Sequence, residues 1–209
     1  MKIHRLFSLV VAAAVGCVPS ASPLKGVPAP DRTLPSLSLP LGHHHLVFKW
    51  EYQEGEIAAR GDGAVRTAAP DSARLDFFLG GGLGAGAAVL IGDSLRSPHA
   101  ELARRYIPPS PMMWAVLGRL AIPPLPDTVV RIDGDLLRAD VGSPVQWRVG
   151  IRGDTLVELQ HISGGKIIES ITRAANGVFT YEAPGARRRL ELTFLRDQPG
   201  SFDASIWGL

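Results

Sequence analysis

Several groups of residues in this chain could do chemistry, and most of them lack the partners the chemistry needs. His43-His44-His45 offers imidazole, a ligand for zinc, copper or nickel. Consecutive strand residues point to opposite faces, so at most two of the three could share an ion, and no acidic or cysteine partner lies nearby. Asp133, Asp135 and Asp140 have the composition of a calcium site, but they flank an Asp-Gly hairpin and face different ways. The glycine run from Gly80 to Gly86 follows a strand, as a nucleotide-binding loop would. What comes next ends Val89-Leu90-Ile91, which favours a strand over the helix whose amides would hold a pyrophosphate. No metal ion or cofactor is expected.

Ser94 lies in Gly92-Asp93-Ser94-Leu95, which resembles the signature of the GDSL esterases. That family needs a late histidine with an aspartate three residues before it, and an asparagine for the oxyanion hole. Here the late histidine is His161 with Glu158 three residues before it, and the sole asparagine is Asn176, in an Asn-Gly turn. The alternation of strands and helices that such a fold requires is absent too, so the motif reads as a hairpin turn and no enzyme is expected.

Cys17 is a different matter. Lys2 and Arg5 form a basic head, residues 6–15 are apolar except for Ser8, and Ala14-Val15-Gly16-Cys17 closes the segment. The apolar run is too short to span a membrane and suits a secretory signal over residues 1–16. Its end resembles the lipobox of bacterial lipoproteins, which implies that Cys17 carries acyl chains after cleavage. Cys17 is the only cysteine, so no internal disulfide is possible. Two or three acyl chains, at about 0.8 kcal/mol per buried methylene, would hold the protein on a bilayer. Val18 in place of aspartate implies, by the sorting rule of such lipoproteins, the outer membrane and its periplasmic face.

The rest of the chain must supply a folded body. Its 209 residues, 45% apolar and 20% charged, suit one globular domain with a substantial core. Of 22 basic residues, Lys2 and Arg5 fall in the signal, and the remaining 20 face 20 acids, so no nucleic-acid partner is implied. Six prolines at 19, 23, 28, 30, 35 and 40 predict an extended, semi-rigid tether over residues 17–45. Period-two alternation predicts strands over 46–53, 56–67, 72–79 and 87–91, with Leu75, Phe77 and Leu79 on one face. Ser97-Pro98 and Ser110-Pro111 start short helices, and the second, running to Leu120, is apolar nearly all round. Further strands are predicted over 129–132, 136–140, 145–151, 155–163, 166–174, 177–182, 188–195 and 201–207, with turn residues between them.

A lipobox, a Pro-rich tether, four strands, a proline-bracketed apolar insert and then a long meander resemble the LolA/LolB-like superfamily of periplasmic lipoprotein carriers and receptors. The resemblance covers residues 46–209 as a single domain and is one of layout. It implies a mainly β fold: a strongly curved antiparallel sheet, an incomplete barrel, covered by a helical insert around a hollow for acyl chains. By position, Leu75, Phe77, Leu79, Met112, Met113, Trp114, Val116, Leu117 and Leu120 would line that hollow. The expected partners are the acyl chain of a lipid or lipoprotein and the membrane, and the chain is expected to act as a monomer. An anchored, non-catalytic scaffold of the cell envelope is the alternative. Cys17→Ala should abolish labelling of the protein by palmitate and release it from the membrane fraction. Labelling that persists would remove the basis for an anchor.

Overall fold

The computed structural model describes residues 18–208 apart from Leu83, so the signal segment and Cys17 lie outside the described residues. The strands are β1 (Val27–Pro28), β2 (His43–Glu54), β3 (Ile57–Ala68), β4 (Ser72–Leu79), β5 (Ala85–Ile91) and β6 (Ser94–Arg96). After helices α1 (Ala100–Tyr106) and α2 (Ser110–Val116) come β7 (Thr128–Asp133), β8 (Leu136–Val141), β9 (Trp147–Arg152) and β10 (Thr155–Ser163). The series ends with β11 (Lys166–Arg173), β12 (Phe179–Ala183) and β13 (Arg188–Pro199). All 13 join one antiparallel sheet in the order β1-β7-β8-β9-β10-β11-β12-β13-β2-β3-β4-β5-β6, which does not close into a barrel.

Alternation sets which face is buried. On β2, Phe48, Trp50 and Tyr52 are buried while Lys49, Glu51 and Gln53 face water. Their partners on β3 are small: Phe48 lies opposite Gly63, Trp50 opposite Gly61 and Tyr52 opposite Ala59. A methyl group on Gly63 would run into the Phe48 ring, and one on Gly61 would meet the Phe78 carbonyl. Large rings on one strand therefore lie over a neighbour stripped of side chains. Phe77 and Phe194 complete the cluster, edge-on or tilted to Phe48 at 5.4 and 5.7 Å.

The sheet is strongly curled, and α2 demonstrates it. Trp114 on α2 donates its indole N–H to the Gly92 carbonyl at the end of β5, at 2.7 Å. The same helix packs on β10 and β11. β5 and β11 are six steps apart in the strand order, roughly 29 Å on a flat sheet. A seven-residue helix is about 10 Å long, so only a curled sheet brings both within its reach.

Two expectations need correction. Residues 201–207 do not form a strand: Ala204–Trp207 is a 3-10 turn capped by the Asp203 carboxylate, which accepts from the Ser205 amide. Arg74 holds this turn by donating to the Ile206 and Gly208 carbonyls, so a side chain distant in sequence decides its shape. The Pro-rich stretch is extended, as its prolines require, but it does not stand clear of the domain. Ser20 bridges Lys166, β1 pairs with β7, and Leu37 and Leu39 enter the core.

Gly63→Val should lower unfolding stability by about 1–3 kcal/mol, the usual cost of overpacking a full core. Urea denaturation would measure it, and an unchanged midpoint would show that the Phe48 ring has room to move.

Candidate functional site

Two helices lie on the concave face, and they treat it differently. Met112, Met113, Trp114, Ala115 and Val116 of α2 are all buried, so this helix fills its half of the sheet solidly. Arg119 stacks on the Trp114 ring at 4.8 Å, closing the outer side. The other half, beneath α1, is not full. A cavity of about 250 Å³ remains there, bounded by Trp50, Tyr52, Phe77, Leu79, Ala85–Ala87 and Leu190 on the sheet and Ala103, Tyr106 and Ile107 from the helix. Its wall is mostly apolar, with Ser97 and His99 the polar side chains at the edge.

Of the residues expected to line a hollow, the structure places Phe77 and Leu79 on this wall. Leu75 is fully buried in the core, as are Met112, Met113 and Trp114, with Val116 close to it. Leu117 and Leu120 pack partly buried against the same core. The α2 residues therefore belong to the packed half, and α1 covers the open one. Sequence reasoning missed Trp50, Tyr52, Ala103, Tyr106 and Ile107. Their apolar alternation was legible, but which helix would leave space beneath it depends on sizes across the sheet.

Polar groups at the rim tie α1 down. Tyr52 donates its hydroxyl to the Arg105 carbonyl at 3.2 Å, and Arg105 donates to Glu54 at 2.6 Å. Arg188 reaches the same carboxylate at 3.2 Å and the Arg104 carbonyl at 3.4 Å. The Arg105 bond is the main cause holding the Glu54 carboxyl below its ordinary range, with Arg188 and Tyr52 adding to it. Burial pushes the Tyr52 phenol up, so it remains a neutral donor.

A larger cleft of about 420 Å³ lies elsewhere, between β2, β3 and β13, lined by Glu51, Arg60, Arg189 and Glu191 among others. It is open and charged, so an apolar ligand gains little there. The other chemical candidates are engaged singly. His44 bonds Asp197 at 3.0 Å, while His43 stacks on Phe202 at 4.5 Å. Asp133 takes Arg138, Asp135 takes Arg152, and Asp140 takes Arg148 in a two-point pair at 2.7 and 2.9 Å. Ser94 is exposed on the edge strand β6, whereas His161 stacks on Trp147 at 4.7 Å and faces Glu169.

A carboxylate with a depressed folded pKa stabilises above its unfolded value, about 4.3, and stops doing so as pH falls through the folded value. The Glu54 tie is therefore intact at neutral pH and released only in acid. Glu54→Gln should lower the amide-exchange protection factors across residues 100–107 at pH 7, and those of the wild type should fall to the variant's level only in acid, below the ordinary glutamate range. Equal protection of α1 in both proteins would show that packing alone holds it.

No protein-family model matches this chain, and no curated protein is detectably similar in sequence. Solved structures are similar. A LolA superfamily protein from Nitrosomonas europaea superposes with a TM-score of 0.55 at 7% identity, over 82% of this chain and 92% of that one. An outer membrane lipoprotein-sorting domain from Vibrio parahaemolyticus gives 0.44 at 6% identity, over 79% and 89%. A DUF1329 family protein from Desulfovibrio piger gives 0.38 at 10% identity, over 80% and 90%. The curled, unclosed antiparallel sheet with short helices on its concave face is the LolA-like fold.

Proposed function

We propose that this protein is a membrane-anchored lipoprotein that holds an acyl chain of a lipid or lipoprotein in the hollow beneath α1, without catalysing a reaction. The observation that carries this reading is the apolar cavity of about 250 Å³ in a LolA-like fold. The cavity sits just under the range of roughly 300–1,000 Å³ usual for ligand pockets, so a long chain requires α1 to swing outward. The seven-residue helix, tied by Tyr52, Glu54 and Arg188, is suited to that movement. Each buried methylene is worth about 0.8 kcal/mol, and a chain of roughly 14–16 carbons on the order of 10 kcal/mol before ordering costs.

The proposed setting is the periplasmic face of the outer membrane, with Cys17 as the lipid attachment and Val18 as the sorting position. The sequence motif supports this. The solid packing of Met112–Val116 favours a second reading, in which the domain is an anchored scaffold and the remaining hollow is incidental.

Mass spectrometry after organic extraction should find lipid co-purified with the unlipidated domain, and a fluorescent fatty acid should bind it. Gly86 lies opposite Phe77 with open space where a side chain would stand, so Gly86→Phe should put a ring in the hollow and weaken that binding at least tenfold, about 1.4 kcal/mol. Absence of lipid and equal dye binding by the two proteins would favour the scaffold.

A further inference from the structure

The hairpin turns of this meander fall on two opposite rims, because each antiparallel strand reverses the chain. One rim carries the turns at 54–57, 79–85, 142–146, 163–166 and 184–187. The other carries those at 68–72, 91–94, 133–136, 152–155 and 173–179. Their chemistry differs. Asp71, Asp93, Asp133, Asp135 and Asp154 stand in turns of the second rim, with Arg152, paired to Asp135, and Arg173 the bases among them. Turns of the first rim contain no aspartate; Lys166 and Arg187 are exposed there, and its acids are Glu54, bound by Arg105 and Arg188, and Glu56. Ile57 and Ile168 are exposed on or beside that rim.

The N-terminal arm begins at this first rim and is bonded to it. Ile167 donates its amide to the Pro19 carbonyl at 2.9 Å, and Ala21 donates to Gly165 at 2.8 Å. Val18 lies against Gly185 in the turn between β12 and β13. From there the arm crosses the outer face of the sheet, where the Arg148 guanidinium, paired with Asp140, donates to the Ser22 carbonyl at 2.8 Å. It then rounds the edge strand, with Ala29 donating to Val130 at 3.0 Å, and Leu120 donates to Leu37 at 3.0 Å on the inner side. Free and fully extended, residues 18–42 would reach roughly 85 Å. Docked, they leave Val18 as the sole residue between Cys17 and the first bonded position, a reach of about 7 Å.

We infer that the arm sets the domain directly on the bilayer, with the turns at 163–166 and 184–187 against the lipid headgroups. This inference rests on acylation of Cys17 and deepens the anchored reading. The partner is a lipid surface containing anionic headgroups, met by Lys166, Arg187 and the exposed Ile168. The hollow is then oriented too. Tyr52, Leu79 and Ala85, which line it, are at or near the strand ends that meet this rim, so an acyl chain would enter from the membrane side.

Because acylation consumes the single natural cysteine, an introduced thiol can be labelled alone. Full-length protein carrying Ser163→Cys, Ala186→Cys or Ala175→Cys, with acylation verified by intact mass, would be labelled with a fluorophore. It would then be placed in vesicles of phosphatidylethanolamine, phosphatidylglycerol and a nitroxide lipid. Labels at 163 and 186 should be quenched severalfold more than the label at 175 on the opposite rim. A Gly-Ser spacer of roughly 12 residues inserted after Val18, with a reach of about 20 Å, should abolish the difference. Equal quenching at all three positions, or a difference that the spacer leaves unchanged, overturns the inference. A mature chain without acyl mass would instead overturn the anchored reading beneath it.

Discussion

Everything on the concave side depends on the pairing of β2 with β3. Three consecutive inward positions of β2 carry aromatic rings, and the residues opposite them are Gly63, Gly61 and Ala59. Rings laid over a neighbour without side chains remove bulk from one strand and concentrate it on the next. The sheet keeps its ladder of backbone bonds, yet its inner face has a deep aromatic wall beside a bare strip. Protein interiors normally fill such strips with interdigitated side chains. Here the β2 rings fill the strip themselves, and the space that persists beneath α1 is walled by Trp50 and Tyr52 together with Phe77, Leu79 and the start of β5.

The two helices divide the work by composition. α2 brings Met112, Met113 and Trp114, whose volume fills the space it enters, and the Trp114 indole finds the Gly92 carbonyl as its buried acceptor. A buried indole without such an acceptor would lose a hydrogen bond to water, so this one bond fixes where the apolar helix sits. α1 is built differently. Glu101, Arg104 and Arg105 face solvent or the rim, and Ala103, Tyr106 and the following Ile107 face the interior. A helix held by a few polar ties over a small apolar contact is the element most readily displaced. A packed anchor and a loosely seated roof on one sheet is what a protein needs if it must stay folded while its hollow changes size.

The arm adds a constraint of another sort. Prolines in residues 18–42 exclude helix and discourage ladder pairing, which is why the segment is extended. That same stiffness lets it lie along a surface at small entropic cost, and Leu37 and Leu39 then draw its far end into the core. Composition cannot separate a free extended spacer from a docked extended strap, because both need proline and few charges. The partners that decide it, among them Arg148, Ile167 and Leu120, are far away in the chain.

Period-two alternation with turn residues between the runs determined the mainly β class, most strand positions and the existence of two short helices. Those are local properties, set by which side chains suit a pleat and which residues reverse a backbone. The alternating face also marked Phe77 and Leu79 as inward, and the structure puts both on the cavity wall. What needed the tertiary structure was the distribution of space. Whether an inward residue touches a neighbour or a void depends on the sizes of residues from strands distant in sequence, as Gly63 beneath Phe48 shows. For that reason the oily helix, read as the wall of a hollow, is solid core, while the plainer helix before it covers the vacancy. The shape of residues 201–207 and the course of the arm were undecided for the same cause: each follows from a distant side chain or backbone group rather than from its own residues.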